Sequence, residues 1–223
     1  MSWNFDGTDD WVGNKNAAPV TTYAGGITGS IWFKLDTLGD GRTLIWISNA
    51  AGTERIRIGQ IAAGAIRLQR TAGGVNSTVD TTTTVTSVGE WHHTCFTATS
   101  TTGSIRVNGG GVNSVTTAAL NISPLSYFLI GARFNTNGLS NYFNGSLCEV
   151  ALWNAVLSDR ELQRLNRAVP PELTRPQNLV FYAPLIRELN DNAGGLPLAG
   201  YNGVAVDSSA VSNRPRQHVR IYL

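Results

Sequence analysis

Apolar and polar residues alternate with a period of two along much of the chain. Arg55-Ile56-Arg57-Ile58 sends both isoleucines to one face and both arginines to the other. Ile66-Arg67-Leu68-Gln69 and Ile105-Arg106-Val107-Asn108 repeat the pattern. Ser30-Ile31-Trp32-Phe33-Lys34-Leu35 and Thr43-Leu44-Ile45-Trp46-Ile47-Ser48 are β-branched and aromatic runs that predict buried strands. Further strands are predicted at Thr82 to Val88, Trp91 to Thr99, Tyr127 to Ala132 and Gly145 to Trp153. Asn108-Gly109 predicts a tight turn. Short strands separated by turn residues predict an antiparallel β-sandwich or barrel.

One stretch breaks this rhythm. Ser158 and Glu161 form a capping box, Leu157 and Leu162 can staple across the cap, and Pro170-Pro171 stops the chain from continuing helically. A short helix is predicted over 158–168. A second apolar strand signal, Leu179-Val180-Phe181-Tyr182, follows a proline-marked segment.

Composition agrees with a β-rich fold and narrows the partners. The 223 residues include 24 glycines, and only 14% are charged, against roughly 25% in ordinary globular chains. A formal net charge of +2 is too small for a dedicated nucleic-acid binder, so nucleic acid is not expected as a partner. No run approaches the ~18 apolar residues of a membrane span, and the first residues lack the basic and apolar regions of a signal peptide. A chain made in a cytoplasm and staying soluble is expected. Cys95 and Cys148 cannot build a disulfide scaffold. Two buried thiols are expected, with a single bridge left open.

Several segments together resemble a known family. Trp3-Asn4-Phe5-Asp6-Gly7-Thr8-Asp9-Asp10-Trp11-Val12 resembles the opening strand pair of laminin-G-like, concanavalin A-like jelly rolls. Ser30–Lys34, Glu90-Trp91-His92-His93, Ile105–Gly109, Phe143–Asn154 and Leu157–Leu162 are similar to its later strands and its short helix, in the family's order. Asn178-Leu179-Val180-Phe181-Tyr182-Ala183-Pro184-Leu185 resembles a segment that in this family usually precedes the opening strand. The resemblance implies a jelly roll over 1–168. Residues 169–223 are expected to pack on that sandwich and complete it. The turn-rich tail resembles phage-encoded members.

The chemistry legible in the sequence is sparse. A glycosidase of this fold needs two carboxylates facing one cleft, and no Glu-x-Asp-x-x-Glu pattern is present. Glu149 stands alone on its strand, and Asp159 and Glu161 sit at a capped helix start. His92 and His93 face opposite ways on a strand, so at most His93 and Cys95 share a face, short of a zinc site. The resemblance implies calcium as the ion to consider. Asp6, Asp9, Asp10, Asp36 and Asp40 lie near loops, but no EF-hand spacing supports them, so neither a metal nor another cofactor is assigned. Asn135, Asn137, Asn141 and Tyr142 form an amide-rich loop suited to sugar hydroxyls and ring faces, and are the candidate ligand residues. Arg214, Arg216, Val219, Arg220, Ile221 and Leu223 form a tail with alternating apolar positions, the candidate assembly element at 214–223. The outward face carrying Arg55, Arg57 and Arg67 is a second place that could meet acidic groups.

The reading that joins these points is a non-catalytic structural or interaction protein. It is a bacteriophage virion component, made in the host cytoplasm, homo-oligomeric, and in contact with other virion proteins such as the major capsid protein or with host surface glycans. A lectin-like carbohydrate-binding module is the alternative, and a glycoside hydrolase ranks below both.

Overall fold

A computed structural model describes residues 2–22, 25–120, 124–135, 137–186, 189–201 and 203–207. The strands are β1 (Ser2–Asp6), β2 (Trp11–Asn14), β3 (Ile27–Leu35), β4 (Thr43–Ser48), β5 (Arg55–Gln60), β6 (Ile66–Ala72), β7 (Val75–Asp80), β8 (Trp91–Ala98), β9 (Thr102–Val107), β10 (Asn113–Thr116), β11 (Tyr127–Ile130), β12 (Arg133–Asn135), β13 (Gly138–Ser140), β14 (Asn144–Trp153), β15 (Leu179–Ala183), β16 (Ala199–Tyr201) and β17 (Ala205–Asp207). The helix α1 spans Asp159–Asn166. Two antiparallel sheets form a sandwich. One runs β10-β9-β8-β3-β14-β1-β17, with β15 also paired to β14; the other runs β16-β2-β11-β4-β5-β6-β7.

The alternation read from the sequence sets which face is inside. Ile56, Ile58, Ile66, Leu68, Ile105 and Val107 all join one core between the sheets, together with Phe33, Phe128, Phe143 and Leu152. Gly29 on β3 has no side chain because the Phe96 ring of β8 occupies that space. Asn108 and Gly109 both take positive φ, 51° and 67°, and the Gly110 N–H donates to the Val107 carbonyl at 2.9 Å. That is the mirror-image turn that Asn-Gly favours.

On β14 the period of two is interrupted once. Leu147 faces the core before the interruption; Val150 and Leu152 face it afterwards, while Ala151 and Trp153 face outward. Glu149 adopts φ 54°, and the register with β3 shifts between Cys148 and Ala151. A one-residue bulge of this kind returns the apolar residues to the core side. The helix covers the outward residues: Leu162 and Leu165 pack on Ala151, Trp153, Cys95 and Tyr182. Ser158 and Glu161 form the expected capping box, and Arg175 grips the Glu161 carboxylate with Nε at 2.9 Å and Nη2 at 2.7 Å.

One expected strand is absent. Residues 82–88 form a loop, held where the Val85 N–H donates to the Gly64 carbonyl at 2.8 Å. Val85 and Val88, three residues apart, would fall on opposite faces of a strand; Val85 is buried and Val88 exposed. The neighbouring strand is instead the mostly polar β7, paired to β6 along its whole length from Ala72↔Val75 to Arg67↔Asp80.

The described residues after the helix are woven into both sheets. β1 pairs with the first half of β14 and β15 with the second half, on the same side. β16 adds to β2 and β17 to β1. Phe181 enters the core and meets Phe128 of the opposite sheet edge to face, ring centroids 4.7 Å apart. The sheet shows no break at residue 168.

Candidate functional site

With the helix on the outer face of the eight-stranded sheet, the outer face of the seven-stranded sheet is the second large surface of the sandwich. Pairing places Leu129, Trp46, Arg57, Gln69 and Thr78 in one row across it, and Tyr127, Ser48, Arg55, Thr71 and Asn76 in the next. These are the residues whose neighbours in sequence point into the core. The face has an aromatic half and an arginine half.

The aromatic half is covered. Trp11 and Trp46 are only 3% and 2% exposed, packed with Leu129 and Ala132 beneath Phe134, Leu139 and Tyr142. The cover is the two-stranded hairpin of β12 and β13. The Tyr127 and Phe134 rings meet tilted at 50° with centroids 5.1 Å apart, and Lys15 lies 4.4 Å from the Trp11 ring centroid.

The candidate ligand residues lie on this hairpin and just after it. The Asn135 side-chain oxygen accepts the Asn137 N–H at 2.9 Å and shapes the turn, while Asn137 is exposed. Asn141 takes φ 55°, and its carbonyl accepts the Thr43 N–H at 2.9 Å. Tyr142 packs on the tryptophan cluster; burial, then the charge of Asp9, pushes its hydroxyl pKa up.

The arginine half, over β5, β6 and β7, lies beyond the hairpin. Arg57 is 8% exposed; its Nε–H donates to Thr43 Oγ1 at 3.1 Å and its Nη2 to the Gly41 carbonyl. Arg55 donates to the Gly52 carbonyl at 2.8 Å and lies 5.6 Å from the Trp46 ring centroid. Arg133 donates to Ser140 Oγ at 3.1 Å. Arg67, by contrast, is gripped by Asp80 through two bonds of 2.7 and 2.8 Å. Burial, followed by repulsion from Arg133, Arg67 and Arg55, lowers the Arg57 pKa to about 10, with Asp40 acting the other way. Burial and Arg133 lower that of Arg55. Alternation had placed Arg55, Arg57 and Arg67 on one outward face; Arg133, contributed by the hairpin, gave no such signal.

The acidic candidates separate into two groups. Asp6, Asp9 and Asp10 bring ligand atoms within 4.8 Å of one another at the β1–β2 turn. Asp10 is buried and accepts the Asp6 N–H through Oδ2 at 2.9 Å, while its Oδ1 has no partner. Burial, then the charges of Asp6 and Asp9, push its pKa up against the lowering effect of that hydrogen bond. A buried orphan carboxylate oxygen beside two more carboxylates fits a hard divalent cation such as calcium, which Asp6, Asp9 and Asp10 would hold. Asp36 instead accepts from Asn4 at 3.2 Å, and the charge of Asp40 acts on Arg57.

The histidines and the remaining acidic groups singled out by the sequence are engaged in structural contacts. His93 Nε2 meets Ser30 Oγ at 2.8 Å beneath the helix, and His92 Nδ1 meets Asn108 at 2.9 Å on the opposite face. The Tyr182 hydroxyl donates to Glu149 at 2.6 Å, and Arg106 pairs with Asp159. Cys95 and Cys148 are buried and not bridged to one another. The expected assembly residues Arg214, Arg216, Val219, Arg220, Ile221 and Leu223 lie outside the described residues. No helix among the described residues is long and apolar enough to cross a membrane.

Known structures share this architecture. The chain resembles a heptameric SAP-like pentraxin from Limulus polyphemus at 12% identity, covering 92% of this chain and 93% of that one, with a TM-score of 0.64. It resembles the CBM40 of the Ruminococcus gnavus IT-sialidase at 17% identity, covering 74% and 98%, with a TM-score of 0.60. It resembles domains LG4-5 of the mouse laminin α1 chain at 15% identity, covering 68% and 40%, with a TM-score of 0.54. No curated protein matches it. The family model of the concanavalin A-like lectin/glucanases superfamily matches residues 6–163. The chain, a laminin-G-like jelly roll, belongs to that superfamily.

Proposed function

We propose that the chain is a non-catalytic binding module that recognises carbohydrate on the outer face of the seven-stranded sheet, beside the β12–β13 hairpin. The observation that carries this reading is the polar half of that face. Gln69, Asn76 and Thr78 stand in register with Arg55 and Arg57, outside the hairpin's cover. Amides and hydroxyls at strand spacing, about 4.8 Å across and ~6.6 Å along the sheet, suit a saccharide's hydroxyls. Asn135, Asn137, Asn141 and Tyr142 border the same face and are proposed as its rim. The shared fold with a sialidase CBM40 agrees with this reading. So does the engagement of Glu149, Asp159 and Glu161 in internal bonds rather than in a facing carboxylate pair. A glycan array probed with the intact chain tests it. Binding to a defined set of glycans, weakened by Gln69→Ala and Asn137→Ala, is expected; an empty array would overturn it.

A second reading, a phage virion component in many copies, is favoured by the position of β17 at the end of the eight-stranded sheet order. The sequence after Asp207 begins at that edge and ends in the Arg-bearing alternation of 214–223. An edge strand is where a second chain adds. Light scattering of the intact chain and of a 214–223 deletion, with proteomics of purified particles, tests this reading. A monomer of unchanged mass, found in no particle, would overturn it.

A further inference from the structure

We propose that the arginine half of this face binds the carboxylate of an acidic saccharide, held by guanidinium groups from the set Arg55, Arg57 and Arg133. This rests on the carbohydrate reading above and names the ligand class.

The fold engages three arginines in ion pairs: Arg67 meets Asp80, Arg106 meets Asp159 and Arg175 meets Glu161, whereas Arg42 and Arg164 donate to the neutral Thr37 Oγ1 and Leu173 carbonyl. Arg55, Arg57 and Arg133 meet no carboxylate within ion-pair distance among the described residues. Their acceptors are neutral: Thr43 Oγ1 and the Gly41 carbonyl for Arg57, the Gly52 carbonyl and Asn76 Oδ1 for Arg55, and Ser140 Oγ for Arg133. Such bonds fix a guanidinium in place without neutralising it.

These three cations come from two separate elements: Arg55 and Arg57 share one face of β5, and Arg133 lies on the hairpin, whose backbone at Phe134 and Asn135 lies against the Gly52 to which Arg55 donates. Arg57 is nearly buried, where like charges are costly and a counter-charge is worth most. Each guanidinium carries five donors in a planar fork matched to a carboxylate, and the neutral acceptors above engage one or two of them. Cross-strand and along-strand neighbours of the cluster are Gln69, Thr71, Asn76 and Thr78. Asn76 Oδ1 accepts from Thr71 Oγ1 at 2.6 Å and from Gln69 Nε2 at 3.1 Å, which leaves Gln69 Oε1, Asn76 Nδ2 and Thr78 Oγ1 where the rest of a sugar would extend. A pure anion site would not need that polar row, and a neutral-sugar site would not need three cations that no ion pair engages among the described residues.

The test is calorimetric titration of the intact chain with four probes: lactose, sialyllactose, digalacturonate and cellobiose. The proposal expects at least one carboxylated probe to bind about 10-fold or more tightly than both neutral ones, as a charge-assisted hydrogen bond implies. Arg57→Gln and, separately, the half-buried Arg133→Gln should each remove that preference while leaving the melting temperature of the Arg133 variant near wild type. Equal binding of neutral and carboxylated probes overturns the acidic-ligand inference and leaves the carbohydrate reading standing. A preference that survives both substitutions overturns the assignment to these arginines. Binding of none of the four probes overturns the inference, and the glycan array then decides the carbohydrate reading separately.

Discussion

Replacing Phe181 with alanine tests whether the residues after the helix are part of one cooperative fold. Phe181 is fully buried, lies on β15, and touches Phe128 of the other sheet at 4.7 Å with an interplanar angle of 66°. Its removal opens a cavity between the sheets and deletes an edge-to-face pair. Buried Phe→Ala changes cost ~3–5 kcal/mol, and the aromatic geometry accounts for about 0.5–1.5 kcal/mol beyond area burial. Taking about 4 kcal/mol, and ~2–4 °C per kcal/mol for a chain of this size, the melting temperature should fall by roughly 8–16 °C. Urea unfolding followed by tryptophan fluorescence is the direct assay, with Phe181→Leu as a milder control. If the segment belongs to the same cooperative unit, the midpoint shifts and the slope does not. A loss below about 1 kcal/mol would refute the reasoning, because β15 would then lie outside that unit. Deleting residues 170–223 is expected to aggregate the protein by exposing one side of the second half of β14.

The remaining predictions concern charges. Burial raises the Glu161 pKa, but the bonds from Ser158 and Arg175 outweigh it and hold the net value below its ordinary 4.5. A depressed carboxylate stabilises above its unfolded pKa and loses that contribution as pH falls through the folded one. Wild type should therefore exceed Glu161→Gln at pH 7 and converge on it once the pH has fallen through the lowered Glu161 pKa, by pH-dependent urea melts; Ser158→Ala should cost about 1 kcal/mol. Burial lowers the His93 pKa to about 3, with Arg106 adding to it and Asn166 opposing. Between pH ~6.5 and that value the unfolded chain takes up a proton that the native one does not. Stability should then fall by about 1.4 kcal/mol per pH unit from this group, and His93→Gln should flatten that limb. Calcium held by Asp6, Asp9 and Asp10 should raise stability over an EDTA sample, by ~2.7 kcal/mol at a hundred times Kd. Asp10→Asn, which keeps an acceptor for the Asp6 N–H, should abolish that response in scanning fluorimetry.

How much of this the sequence revealed depended on whether a residue's role was local. Ile56, Ile58, Ile66 and Leu68 announced their inward direction by alternation alone, and Ser158 with Glu161 announced the helix start. β7 was hidden because an edge strand with one buried face needs little apolar character, so Val75-Asn76-Ser77-Thr78-Val79-Asp80 reads as a loop. The Glu149 bulge was hidden because it corrects a register that only the paired strands define. The arginine cluster was half visible. Arg55 and Arg57 share a strand face by period, whereas Arg133 reaches them only because a hairpin nearly eighty residues later folds over Trp46. The amides of Asn135 and Asn141 looked like ligand groups; the Asn135 side-chain oxygen serves the turn, while Asn141 ties to β4 through its backbone carbonyl.

The central claim is that the seven-stranded sheet's outer face binds a carbohydrate. Backbone amide chemical-shift mapping during titration with a glycan identified on the array tests it most directly. The account predicts perturbations centred on Arg55, Arg57, Gln69, Asn76 and Thr78, with the hairpin residues 133–142 at the margin. Perturbations centred on α1 and the eight-stranded sheet, with these strands silent, would contradict it.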